Sequence, residues 1–328
     1  MGSFLPSIQR AVIVQEDKTV AVETVLLDKP GPGEVLVKNA AIGQNPGDWK
    51  AIDFGMLYAG NGLGYDFAGH IAALGEVVTS WKVRDRVGRG HRPALESRQI
   101  SEEFVLCMIA RESPLVRIPD NITEEEVVTI PLAASTALHG LNLISDIPKR
   151  APLAGGRRSS GVAPFAIQLA RIYKVITTAS PKNHALVKSL GAAVAIDCHA
   201  SDVVEQTIAA SGRGGVDYVF DAVSEGSSYE LGLKTLRKDG PRKLALVSPL
   251  DVSNLDQSVD YYFAAPIAFL DLDPDFGGLS LSRNKAEYKL GLDFFENAPG
   301  WLQEGRLEPN PVTVSGTKLV YRVAETPA

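Results

Sequence analysis

Apolar positions in the first third of the chain fall in short β-branched runs separated by turn formers. Residues 10–14, 19–25 and 34–42 read as strands, and Pro30-Gly31-Pro32-Gly33 supplies the turn before the third. A further strand-like run, 70–78, follows the glycine-rich Gly60-Asn61-Gly62-Leu63-Gly64. Short strands with frequent turns predict a small barrel-like β domain. The pattern changes near residue 120. Thr123-Glu124-Glu125-Glu126 is a capping box, in which Thr123 caps a helix and Glu126 reaches back to it. The acidic first turn also suits the helix dipole. A helical pattern continues through Val127 and Val128 and, after Pro131, over 133–143.

From 165 to 248 the period alternates. Helices are predicted over 165–170, 183–190, 202–210 and 227–236, and strands over 173–178, 193–196, 216–220 and 243–247. This alternation predicts an α/β fold with a Rossmann-type, doubly wound parallel sheet covered by helices. The tail has mixed character and ends strand-like over 318–323.

Composition narrows the function classes. A chain of 328 residues exceeds what one core usually serves, so two domains are expected. Hydrophobic residues at 45% and charged residues at 22% exclude a largely disordered chain. A net charge of -6 gives no general attraction to nucleic acid or anionic lipid, so neither partner is expected. No stretch approaches the roughly 20 apolar residues of a membrane helix. The first residues lack a basic segment followed by a long apolar one, and a cytoplasmic location is expected.

Two cysteines, Cys107 and Cys198, stand far apart, fit a reduced compartment and cannot build a four-cysteine zinc site. The five histidines are scattered; only Cys198-His199 are neighbours, too close to be diagnostic. No bound metal is expected. No G-x-S-x-G or HExxH pattern supports a hydrolase.

A dinucleotide site needs glycines that let backbone approach a pyrophosphate, and a helix start facing its charge. The candidates are Gly155, Gly156, Ser159, Ser160, Gly161 and Val162, in a loop that also carries Arg157-Arg158. It is not a clean G-x-G-x-x-G, and alone it reads equally well as an ordinary strand-to-helix turn. The loop after the next strand says more. NAD sites usually place a carboxylate there for the ribose 2′-hydroxyl. Here stands Thr178-Ala179-Ser180-Pro181-Lys182-Asn183, with one cation and no carboxylate. Ser180, Lys182 and Asn183 suit a 2′-phosphate, so NADPH is preferred to NADH. The plainer alternative is that Ser180 and Asn183 only cap the next helix.

Taken in order, these motifs resemble the zinc-free branch of the medium-chain dehydrogenase/reductase superfamily, nearest the fungal trans-acting enoyl reductases and the quinone oxidoreductases. The resemblance is carried by Asn45-Pro46-Gly47-Asp48-Trp49-Lys50, Gly64-Tyr65-Asp66-Phe67-Ala68-Gly69 and Val83-Arg84-Asp85-Arg86-Val87-Gly88. It continues through Pro131-Leu132-Ala133-Ala134-Ser135-Thr136-Ala137-Leu138, Ser180-Pro181-Lys182-Asn183 and Leu190-Gly191-Ala192. It implies a GroES-like β-rich catalytic domain from 1–120 and 276–328, with the Rossmann-type NADP-binding domain over 121–275 inserted. Zinc-dependent relatives carry Gly-His-Glu near where Asp66-Phe67-Ala68-Gly69 stands here. The resemblance also implies catalytic roles for Lys50 and Thr136, and places Asn45 among the cofactor-binding residues. Lysine and threonine donors would polarise a thioester or ketone oxygen while hydride reaches the β-carbon. Surface solvation of Lys50 and packing of Thr136 are the plain alternatives.

The expected activity is NADPH-dependent reduction of an enoyl thioester, enone or quinone in fungal polyketide metabolism. The substrate would be a small molecule or an acyl group on a carrier protein, with a polyketide synthase as partner and a monomer or homodimer as the working form. Departures from the family keep a second class open. Pro152 is awkward in a central strand, Arg157-Arg158 has no counterpart, and residues 307–318 leave no room for a helix that relatives place there. A redox-inactive relative, acting as a cyclase, isomerase or non-catalytic partner, is that alternative. Tyr261 to Leu270 is an apolar, aromatic stretch that reads as pocket lining, subunit contact or core.

Overall fold

The computed structural model describes residues 7–90, 107–111, 115–144, 152–155, 160–265, 269, 275–276, 279–280, 284–312 and 320–322. The chain divides into two compact units. The first comprises Met1–Leu132, Ile267–Thr313 and Lys318–Ala328; the second comprises Ala133–Pro266 and Val314–Thr317.

The first unit begins with an antiparallel ribbon of β1 (Ile8–Val14) and β2 (Val20–Leu26). Then come β3 (Glu34–Gly43), α1 (Pro46–Asp53), β4 (Asp66–Leu74), β5 (Arg86–Gly90), β6 (Cys107–Arg111) and β7 (Val116–Arg117). A single turn, α2 (Glu124–Val127), follows, with Thr123 and Glu126 closing the expected capping box. β3 is the organising strand. Its apolar run is buried almost throughout, as a strand covered on both faces requires. It pairs with β4 along one edge and with β6 along the other.

β4 starts and ends earlier than the 70–78 run. It stops at Leu74, and the next residue, Gly75, lies against backbone: a Cβ there would stand 1.8 Å from the Gly31 carbonyl oxygen. A Cβ on Gly69, inside β4, would stand 2.1 Å from the Lys38 carbonyl oxygen, opposite a β-bulge in β3.

α3 (Pro131–Leu143) runs into the second unit. There follow β8 (Pro152–Gly155), α4 (Ala163–Leu169), β9 (Lys174–Ala179), α5 (His184–Ser189), β10 (Val194–Asp197) and α6 (Val203–Ser211). β11 (Tyr218–Asp221), α7 (Ser228–Thr235), β12 (Lys243–Leu246) and β13 (Asp260–Phe263) complete the alternation. The six strands are parallel in the order β10-β9-β8-β11-β12-β13. That is the 3-2-1-4-5-6 order of a dinucleotide-binding Rossmann sheet, and the order reverses between β8 and β11. Pro152 is compatible with this central strand because it is the strand's first residue; pairing with β11 begins only at Leu153. Tyr218, Phe220 and Phe165 are fully buried, and Ile176, Val219 and Leu244 belong to one buried apolar cluster of the sheet.

The remaining elements belong to the first unit: a short hairpin of β14 (Asp275–Phe276) and β15 (Leu279–Ser280), α8 (Lys285–Gln303) and β16 (Val320–Arg322) beside β3. α8 is a long helix where the sequence reads as mixed, because Gly291, Pro299 and Gly300 interrupt its propensity. Packing overrides them: Phe294, Phe295 and Leu302 are buried, and Gly291 meets Phe269. Asn284 starts the helix by accepting hydrogen bonds from the Ala286 and Glu287 amides.

The unit boundary falls at Leu132 rather than at 121. Residues 119–124 are tied back to β5 by Arg86, which donates to the Pro119 and Ile122 carbonyls and to Glu124 Oε1 at 2.9 Å. On the other side the chain passes back to the first unit at Ile267, ahead of 275.

Two outcomes follow. Gly69→Ala should shift the denaturant midpoint by the equivalent of about 2–4 kcal/mol, since backbone occupies the new Cβ's place. Gly300→Ala, with open space around it, should be neutral or stabilising by up to ~1 kcal/mol. The hydrogen bond from Arg86 holds the Glu124 carboxyl below its ordinary value. A depressed carboxylate stabilises the fold above its unfolded pKa and loses that contribution as pH falls through its folded value. The stability gap between wild type and Glu124→Gln, measured by urea unfolding, should therefore be full at neutral pH and close below about pH 4.

Candidate active site

Asn45 precedes α1 in extended conformation and Pro46 takes the first helical position, where its missing N–H is harmless. The Asn45 backbone N–H donates to Asp48 Oδ2 at 2.6 Å, which fixes the entry of the chain into α1. The Asn45 side-chain amide donates to Asp66 Oδ2 at 2.9 Å and to the Gly43 carbonyl at 3.2 Å. Asp66, fully buried at the start of β4, also accepts the Leu132 N–H on Oδ1 at 2.9 Å. Its carboxylate thus sits at the N-terminus of α3, where backbone donors and the helix dipole stabilise negative charge.

Lys50 lies on α1, half-buried, its Nζ 5.5 Å from the Trp49 ring centroid. Trp49 is itself exposed. Thr136 lies on α3 and is buried, with His139 one turn along and also buried. Asn45, expected among the cofactor contacts, uses its amide within the Asp66 network.

In the second unit, Gly155 ends β8; Gly156, Arg157, Arg158 and Ser159 lie outside the described residues. Ser160 and Gly161 lead into α4, and the Val162 N–H donates to Ser160 Oγ at 3.1 Å. After β9, Pro181–Asn183 form one 3-10 turn. Asn183 Nδ2 donates to Ser180 Oγ at 3.0 Å, and neither side chain caps the following helix. Lys182 is exposed. The structure therefore brings Ser180 and Asn183 together and leaves the capping alternative without a hydrogen bond.

Sequence reasoning missed the loop after β11, at the reversal of the sheet. Asp221 is buried and accepts on Oδ1 from the Val223 and Ser224 amides, at 3.0 and 3.1 Å. Its Oδ2 accepts from Ser228 Oγ at 2.7 Å, the first residue of α7. Ser224 has φ +52° and is held there by donating from Oγ to the Asp221 carbonyl and accepting from the Val247 N–H. An aspartate closing an apolar strand before Ser224, Gly226, Ser227 and Ser228 was the available signal. A cavity of ≈ 310 Å³ opens at this edge, lined among others by Thr178, Cys198, Val203, Asp221, Val223 and Ser228. Ligands of such sheets bind outside the carboxyl ends of the strands, at the reversal.

Two family models match the chain. The alcohol dehydrogenase GroES-like domain covers residues 31–110 and the zinc-binding dehydrogenase domain covers 161–248. A trans-enoyl reductase of Aspergillus flavipes, tndF, is 32% identical over 72% of this chain and 74% of its own. Another from Penicillium citrinum, gkaC, is 27% identical over 95% of this chain and 91% of its own. Among solved structures, an alcohol dehydrogenase superfamily protein from Novosphingobium aromaticivorans superposes with a TM-score of 0.75 at 21% identity, covering 96% and 100% of the two chains. The CurK enoyl reductase gives 0.71 at 20% identity over 94% and 91%.

A GroES-like unit joined to a Rossmann unit is the architecture of an alcohol-dehydrogenase-type oxidoreductase. The chain belongs to the medium-chain dehydrogenase/reductase superfamily, in the branch of the fungal trans-enoyl reductases. Enzymes of this superfamily use nicotinamide cofactors. Among the described residues no helix is long and apolar enough to cross a membrane.

The Asp66 network yields a swap experiment. Asp66→Asn sets an amide donor against one of the two donors, Asn45 Nδ2 or the Leu132 N–H, and should lower the unfolding midpoint by about 1–3 kcal/mol equivalent. Adding Asn45→Asp restores a donor–acceptor pair and should recover part of the loss. Equal loss in the single and double variants would show that the pairing itself contributes nothing.

Proposed function

We propose that this protein reduces an activated carbon–carbon double bond, in an enoyl thioester, enone or quinone, with NADPH and without catalytic zinc. The observation that carries the reading is the carboxylate-free Ser180–Lys182–Asn183 loop after β9, beside the reversal of a 3-2-1-4-5-6 sheet. In a chain of the trans-enoyl reductase branch, that loop supports a clamp for a 2′-phosphate. Lys182 supplies the charge; the paired Ser180 hydroxyl and Asn183 amide supply hydrogen bonds. The ≈ 310 Å³ cavity bordered by Thr178 and Asp221 is assigned to the adenosine half. Gly155, Gly156, Ser159, Ser160, Gly161 and Val162 are assigned to the pyrophosphate.

When bound, NADPH supplies the hydride. Lys50 and Thr136 are assigned as donors to the carbonyl oxygen of the substrate, where charge develops as the β-carbon is reduced. Solvent or a relayed proton completes the reduction at the α-carbon. Among the described residues of the first unit, no His, Cys, Asp and Glu converge as metal ligands; the one such group lies in the second unit, after β10. The proposed substrate is an acyl chain on a carrier protein of a polyketide synthase, in keeping with relatives named trans-enoyl reductases.

Calorimetric titration with NADPH and with NADH tests the reading. NADPH should bind at least ~10-fold more tightly, and Ser180→Ala/Lys182→Ala/Asn183→Ala together should abolish that preference. Lys50→Met and Thr136→Val should each lower kcat for an enoyl thioester about 10²-fold while NADPH affinity is kept. Folded protein that binds neither nucleotide would sink the proposal and turn the search to cyclisation, isomerisation or partner binding.

A further inference from the structure

The turn after β10 holds a group of side chains that the reductase reading does not use. Asp197 ends the strand, and Cys198 and His199 follow it directly. In a continuing strand, neighbours would point to opposite faces. Here the chain turns instead, and the carboxylate oxygen, the thiol sulfur and the imidazole nitrogen lie within 4.8 Å of one another. Two backbone hydrogen bonds fix the turn. The Cys198 N–H donates to the Ala179 carbonyl at 3.2 Å, and the His199 N–H donates to Asp197 Oδ1 at 3.0 Å. Cys198 carries no disulfide and lines the ≈ 310 Å³ cavity.

A thiolate, an imidazole and a carboxylate form a mixed sulfur, nitrogen and oxygen donor set. Hard cations such as Mg²⁺ and Ca²⁺ prefer oxygen alone, whereas Zn²⁺ and its neighbours in the transition series take this mixture. Tetrahedral coordination at about 2.0–2.3 Å from each donor brings such atoms to roughly 3.5 Å apart. Rotamer changes of the exposed His199 and half-buried Asp197 cover that difference. Three protein donors leave the fourth position to water or a ligand, and the thiol proton is released on binding.

We propose that Asp197, Cys198 and His199 form an inhibitory binding site for a zinc-class divalent ion at the rim of the nucleotide cavity. Closing His199 and Asp197 onto a metal held by Cys198 sets a hydrated ion at the rim of the cavity that Cys198 lines. Metal and nucleotide then compete for one space, and each lowers the affinity of the other by the same factor. The site stands on its own geometry; only its inhibitory consequence rests on the assignment of the cavity to NADPH.

The test begins with Co²⁺ as a spectroscopic substitute, added to the full chain without nucleotide. One Co²⁺ per chain should bind with a sulfur-to-cobalt charge-transfer band in the near ultraviolet. Cys198→Ser should remove that band, and His199→Ala should weaken binding at least ~10-fold. Absence of the band, or a band that persists in Cys198→Ser, would overturn the site. Zn²⁺ just sufficient to saturate wild type should then weaken NADPH binding at least ~10-fold there and by a clearly smaller factor in His199→Ala. A cobalt site without that effect overturns the inhibition, whereas protein that binds cobalt but no NADPH even without metal refutes the reductase reading and not the site.

Discussion

A carboxylate buried from water must be matched by donors, and Asp66 is the point where that requirement organises the first unit. Fully buried, it takes the Asn45 amide on one oxygen and the Leu132 N–H on the other. One side chain thereby fixes the approach to α1 and the first turn of α3. Leaving either donor or acceptor unmatched in a buried place costs more than the bond itself contributes. The family motif around Asp66 is therefore a positioning device as much as a signature. Gly69 completes it, because β4 can lie against the bulge in β3 only where no Cβ intervenes.

The second unit solves a comparable problem at its sheet reversal. The loop after β11 must leave the sheet and enter α7 within a few residues. Asp221 gathers the Val223 and Ser224 amides and the Ser228 hydroxyl, and Ser224 adopts a positive φ to reach the Val247 N–H. A non-glycine residue in that conformation persists when its surroundings determine it, and such positions cluster at functional sites. The same carboxylate borders the cavity. A rigid rim of this kind pre-organises whatever the cavity takes up.

The alternation over 165–248 was legible because each strand and helix there has its own period, and every predicted element recurs within a few residues of its bounds. The 123–126 capping box was legible for a local reason: its two hydrogen bonds join residues three apart. What the sequence concealed was non-local. α8 has two glycines and a proline inside it, and only the burial of Phe294, Phe295 and Leu302 makes it a helix. Likewise Asn45 reads as one residue of a motif, and nothing in the spacing of 45, 66 and 132 announces that they meet. Ser180 and Asn183 stood out as candidates because the missing carboxylate is visible in the sequence. Asp221 was overlooked because an aspartate before serines reads as an ordinary turn, and its burial beside a cavity shows only in the fold.

The two readings of function turn on how much a departure from the family pattern weighs once its place is known. Pro152 counted against a working nucleotide loop because a proline in a central strand removes a ladder donor. As the first residue of β8 it sits where the ladder with β11 has not begun, so the strand reaches Gly155 in register with both neighbours. That departure leaves the sheet order and the reversal intact. Arg157-Arg158, outside the described residues, is the departure that still separates the readings. Two adjacent cations in an acidic chain match either the charge of a pyrophosphate or open solvent, and nucleotide titration separates the two.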